Sequence, residues 1–190
     1  MGRPRSIECD HAILEAALAE YARRGLDGMS VDAVAARAGV SKATIYRRYP
    51  SKVELVVAAA FTIAEETAPK PDTGSLRGDL TTALQNLRNL LDDPVLGAAT
   101  RMLVADALQH DDLARMHKDF VRVRRRGTFE AFQRAVERGE MQPEVDFDFA
   151  ADMLAAPLFY RLLVLHERVT DAYLDDVVEA FLTRYGVLLV

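Results

Sequence analysis

The chain has little cysteine, no long apolar run and few histidines, and each shortage closes off a class of protein. A single cysteine, Cys9, excludes an intramolecular disulfide and a cysteine-cluster zinc site, and it fits a reducing compartment. No uninterrupted apolar stretch approaches the ~20 residues that a membrane span needs. The opening MGRPRSIECD lacks the apolar segment of a secretory signal, so the expected location is cytoplasmic, with no membrane partner. No segment alternates apolar and polar residues for long enough to claim a strand, and neither an internal repeat nor a low-complexity tract is present. The expected fold is all-α.

What is present is the material of a globular core: half of the 190 residues are apolar and the charged fraction is ordinary. The net charge of -5 conceals an asymmetry. Met1 to Glu54 carries 9 basic and 7 acidic residues, whereas Leu55 to Val190 carries 15 basic and 22 acidic. Ala38 to Val53 holds Lys42, Arg47, Arg48 and Lys52 and no acid at all. Fixed positive charge in one place displaces the counterions condensed on a duplex, so an acidic remainder does not exclude nucleic acid.

Apolar spacing and helix-ending residues divide the chain into about nine helices. Leu14, Ala17, Leu18 and Tyr21 form one face of a first helix over about Ile7 to Arg24, with Gly25 as its stop. Ser30 stands before Val31, Val34, Ala35 and Ala38 and reads as the N-cap of a short second helix ended by Gly39. Ser41 caps a third, beginning at Lys42 and closed by Pro50. Two short helices joined so tightly form a helix-turn-helix, because neither persists alone in water. Ser51 caps a fourth helix to about Thr67, and APKPDTG, Ala68 to Gly74, reads as a linker. The expected organisation is a DNA-binding head over 1–50, a connecting helix over 51–67 and a regulatory body over 75–190. Leu80, Leu84, Leu87 and Leu91 make one face of a fifth helix that Pro94 breaks, and helices follow over about Val95 to Gln109, through Leu113 to Val136, and over about Asp146 to His166 with a kink at Pro157. A last helix carries Leu174 to Tyr185.

The segment AGVSKATIYRRYPSK, Ala38 to Lys52, concentrates the groups that meet DNA. A capped helix start favours phosphate. Small Ala43 beside Thr44 allows close approach to base edges; Ser41, Lys42, Tyr46, Arg47, Arg48 and Tyr49 supply donors, and Lys52 reaches phosphate. Either Arg47 or Arg48 could grip guanine with both nitrogens. Ahead of the head, GRPR places Arg3 and Arg5 as a candidate minor-groove arm; the alternative is a solvated tail. From about Ile7 to Phe61, the strings ILEAALAEYARRGLDGMSV, VAARAGVS and KATIYRRYPSK resemble the head of TetR-family transcriptional regulators. That resemblance implies contacts to phosphates or bases from Ser30, Thr44, Tyr46, Arg48 and Lys52. The position of Arg47 is usually aromatic or polar in that family, and arginine departs from it.

One recognition helix per chain implies a homodimer on a palindromic duplex operator. Leu158, Phe159, Leu162, Leu174, Val178, Phe181 and Leu182 on the last two helices are the expected interface, in line with the pairing that the resemblance implies. Met102, Phe120, Phe129, Phe132, Met153 and Tyr160 are candidate walls of a pocket for a small-molecule effector, or else core. The family resemblance also makes repression, relieved by the effector, the expected outcome. RVRRR, Arg122 to Arg126, reads as a solvated helix face, and Arg161 as paired with Glu137 or Glu179. Two competing readings remain. One is a body that binds a protein partner instead of a small ligand. The other is a helical metal-dependent phosphohydrolase built on His110 and Asp111, with His117 and His166 as further ligands. Only four histidines exist, His11 falls in the head, and such centres draw ligands from several helices. The expectation is no enzyme, no metal and no cofactor.

Overall fold

A computed structural model describes residues 4–67 and 70–187. Among them the order is α1 (Pro4–Gly28), α2 (Val31–Ala38), α3 (Lys42–Arg48), α4 (Lys52–Thr67), α5 (Leu76–Asp92), α6 (Leu96–Ala107), α7 (Asp111–Glu137), α8 (Phe147–Phe159), a π-helical turn (Tyr160–Val164) and α9 (Asp171–Tyr185). The described residues contain no strand; an isolated bridge joins Met141 to Gly186. No described helix is long and apolar enough to cross a membrane.

Two compact units interleave along the sequence: residues 1–67 with 91–123, and residues 68–90 with 124–190. In the first, Ile13, Ala17 and Tyr21 of α1, Val34 of α2, Ile45 of α3 and Leu55 and Ala59 of α4 share one core with Leu103 of α6 and Leu113 of α7. Helix α6 is thus part of the packing that supports the head, a role its position in the sequence does not disclose.

The first helix runs past its expected end. Gly25 takes φ 64° and ψ -176°, a conformation that costs a residue with a Cβ more than glycine, and the chain resumes a turn up to Gly28. This break frees the backbone N–H of Leu26, which donates to Asp106 Oδ2 of α6 at 3.0 Å. Burial first, and the nearby Asp106 carboxylate second, push the Tyr21 hydroxyl far above its ordinary pKa. Asp106→Ala would leave the Leu26 N–H without its acceptor, at a cost of about 1–3 kcal/mol. The expected result is a lower urea midpoint with unchanged slope; an unmoved midpoint would show that water replaces the carboxylate without loss.

In the second unit, Leu80 and Leu84 of α5, Phe132 of α7, Leu154 and Leu158 of α8 and Val178 and Phe181 of α9 form the core. Phe132 lies at its centre, with ring centroids 5.5 Å from Phe181 and 5.4 Å from Phe147. Asp79 is buried at the start of α5: its Oδ1 accepts from Thr73 N–H at 2.6 Å, and Arg134 and Arg138 stand at 3.8 and 3.9 Å from Oδ2. Glu140 accepts both forks of Arg138 and the Leu76 N–H, and these contacts, Arg138 foremost, hold its carboxyl below the usual range. The kink expected at Pro157 takes a specific form: α8 ends at Phe159 and passes into the π-helical turn, short of the expected end at His166. Proline withdraws one N–H from the ladder, and the turn that follows rewinds the chain with wider spacing.

Candidate nucleic-acid interface

Local chemistry fixes the hairpin of α2 and α3. Ser30 accepts from the Ala33 N–H at 3.3 Å and starts α2. Gly39 stops it at φ 67°, with the Val40 N–H returning to Ala35 O at 3.0 Å; the left-handed turn is what reverses the chain within two residues. Ser41 then accepts from the Thr44 N–H at 3.1 Å and shares a 2.9 Å hydrogen bond with the Thr44 hydroxyl. Ser51 accepts from the Glu54 N–H at 3.1 Å and opens α4. Ser30 and Ser41, expected as contact residues, therefore also have defined duties as caps.

Ile45 is wholly buried and sets the inner face of α3. At about 100° per residue, Ala43 and Arg47 lie opposite it, with Tyr46 and Lys42 toward one flank and Thr44 and Arg48 toward the other. Exposure follows that wheel: Lys42, Ala43, Tyr46 and Arg47 are exposed, while Thr44, Arg48 and Tyr49 are half-buried. The basic groups differ in their engagements. Lys42 Nζ lies 2.9 Å from Asp32, an exposed pair that water and salt loosen readily. Arg48 is bound to Asp10 of α1. Tyr49 packs on the head's core, and its hydroxyl is pushed up by burial and then by Asp10, so it serves the core before it serves a phosphate. Lys52 reaches back to Asp27 O at 3.5 Å. Arg3 and the side chain of Arg5 lie outside the described residues; the backbone of Arg5 falls in the first turn of α1.

The expected interface residues do not all face outward. Leu158, Leu174, Val178 and Phe181 are buried within their own chain, and Phe159, Leu162 and Leu182 are half-buried. They answer the apolar periodicity by closing α8 and α9 onto α5 and α7. The apolar residues left uncovered on α8 and its π-helical turn are instead Phe149, Met153, Ala156, Tyr160 and Val164, in a stripe along one side. Sequence reasoning places Met153 and Tyr160 of this stripe among pocket walls and does not join them with Phe149 and Val164 into one exposed face, because apolar spacing does not tell which side meets its own chain.

The residues expected to wall a pocket fall in different settings. Phe132 is sealed in the second unit's core and Phe129 stacks on it, whereas Met153 and Tyr160 are 51% and 57% exposed on the α8 stripe. Met102 and Phe120 are half-buried against the core of the first unit. A groove of about 440 Å³ runs along α8, lined by Arg125, Asp152, Ala156, Phe159, Tyr160 and Val164 among others. Arg161 pairs with Glu167 at 2.8 Å and lies over the Tyr173 ring, not with Glu137 or with Glu179, which Arg77 holds. In the basic run Arg122 and Arg126 are exposed and Arg122 pairs with Asp119, but Arg125 is half-buried against Asp152, and burial lowers the pKa of half-buried Arg124, so the expected solvated face covers only part of the run. His110 Nε2 lies 3.9 Å from Asp27, and among the described residues no group of three His, Cys, Asp or Glu side chains could hold a metal ion.

Comparison with known proteins bears on both parts of the chain. The profile of bacterial regulatory proteins of the tetR family matches residues 13–59, and that of the tetracyclin repressor-like C-terminal domain matches residues 70–181. The chain is 33% identical over 178 residues to the HTH-type transcriptional regulator YdeS of Bacillus subtilis, covering 93% of this chain and 89% of that one. It is 36% identical over 177 residues to the DNA-binding transcriptional repressor TetR of Mycobacteroides abscessus, covering 88% of each. Among solved structures, a TetR-family regulator from Pseudomonas syringae pv. tomato superposes with a TM-score of 0.63 at 29% identity, covering 93% of this chain and 95% of that one. One from Mesorhizobium loti superposes with a TM-score of 0.77 at 27% identity, covering 97% and 100%. A capped helix-turn-helix on an all-helical frame, matched at both ends by the family's profiles, makes this chain a member of the TetR family of helix-turn-helix transcriptional regulators, a DNA-binding protein and not an enzyme.

Proposed function

We propose that the protein is a cytoplasmic repressor that binds a palindromic operator as a homodimer and is released by a small ligand held in its C-terminal part. The observation that carries this reading is the outward face of α3, where Ala43, Tyr46 and Arg47 stand exposed in a stretch with no acidic residue. Thr44, Lys42 and Lys52 flank that face and contact phosphates, with Ser30 and Ser41 fixing the hairpin that aims it. Repression is supported by likeness to relatives described as repressors, the 36% identical protein of Mycobacteroides abscessus among them.

Dimerisation is supported by the α8 stripe. A contiguous exposed apolar patch marks an interaction site, and this one occurs at i, i+4, i+7, i+11 and i+15 from Phe149. Its occupant is the same stripe of a second copy, since a two-fold axis makes one patch its own complement. Two α3 helices held one turn of DNA apart, roughly 34–36 Å, then read successive major grooves. A ligand that favours another spacing weakens the operator complex by its differential affinity for the two arrangements.

Selection of duplexes from a random pool by the purified protein tests the reading. The expected product is an inverted repeat bound by two chains, with affinity falling steeply as salt rises. Binding indifferent to sequence would refute operator reading.

A further inference from the structure

The two adjacent arginines of α3 are chemically alike, yet the fold treats them differently. Arg48 lies beside the buried Ile45 on the helix wheel, is half-buried, and is bound by the Asp10 carboxylate of α1. Arg47 lies on the opposite side, is exposed, and has no carboxylate within ion-pair reach among the described residues. Four residues earlier on that same line stands Ala43, whose single methyl leaves room for the helix to enter a groove.

We propose that Arg47 is the base-reading arginine and that Arg48 is a positioning residue, so that each half-operator contains a guanine specified by Arg47. This assignment rests on the operator-reading function above and places specificity on the outward side of α3. A guanidinium with its fork unoccupied meets guanine O6 and N7 with two parallel hydrogen bonds, whereas one already bound to a carboxylate would first have to give up that partner. The Asp10–Arg48 pair has its own use: it ties the end of α3 to α1 and so fixes the angle at which Arg47 leaves the helix.

The test is operator selection and competition binding with R47A, R47K, R48A and D10N. For the wild type, one position per half-site requires guanine. R47A and R47K lose roughly 10- to 100-fold of the preference for guanine at that position, because alanine has no donor and lysine has no fork. R48A and D10N weaken binding to every base at that position by one common factor, lower the melting temperature, and are not additive when combined. Should R48A fail to fold, R48Q, neutral and of similar length, takes its place. Guanine preference retained in both Arg47 variants, or lost in the Arg48 variant instead, overturns the assignment. Failure of the wild type to select any inverted repeat is a different result, which overturns operator reading itself and this assignment with it.

Discussion

Replacing Met153 and Tyr160 together by aspartate is expected to turn the protein into a folded monomer whose operator affinity is lower by about 10²- to 10⁴-fold. Both side chains are more than half exposed, so the change leaves the chain's own packing intact and acts only on what covers α8. Paired across a two-fold axis, the substitution brings four carboxylates into an apolar contact, where burying each without a partner is strongly unfavourable. With the link broken, the second head no longer binds as a tethered group, and the advantage of its high effective concentration is lost. Sedimentation of the free protein and anisotropy on a labelled operator read the two effects separately. A variant that remains dimeric would move the interface away from α8. A monomer that retains full affinity would show that each head binds on its own.

Phe132→Ala is expected to cost about 3–5 kcal/mol of stability, the range for emptying a buried aromatic site. Phe132 is fully buried and meets Phe129, Phe147 and Phe181, so its removal opens a void touched by α7, α8 and α9 at once. At roughly 2–4 °C per kcal/mol for a chain of this size, the melting temperature falls by about 6–20 °C. The aspartate-substituted monomer is the proper background, because dimerisation couples stability to concentration. A shift of only a degree or two would mean that the second unit collapses around the void.

Much of the fold follows from local chemistry, and this is why the sequence discloses it. Ser30, Gly39, Ser41, Pro50 and Ser51 act on backbone groups within a few residues of themselves, so the boundaries of α2, α3 and the start of α4 are readable without tertiary knowledge. Gly25 shows the limit. A break is visible there, but the turn that continues beyond it depends on Asp106, 80 residues away. The same limit hides the difference between Arg47 and Arg48, because Asp10 is 38 positions from the arginine that it binds. Helical periodicity likewise marks Leu158, Leu174, Val178 and Phe181 as buried without saying by what, and the answer is their own chain. The exposed groups of α8 that are proposed to meet a second copy are those that this periodicity leaves over.

The interleaved construction of the first unit bears on how the chain assembles during synthesis. Translation delivers α1 to α4 first, but Ala99, Leu103 and Leu113, which complete the core beneath them, arrive some tens of residues later. Domains fold as units on the ribosome, so the DNA-reading hairpin waits for α6 and the first half of α7 to emerge before its supporting helix is covered. The α6 segment joins the earlier helices by closing a long loop, and the entropy of that closure rises only slowly with length. A nascent chain stalled before residue 91 thus exposes the α1 surface that α6 would cover.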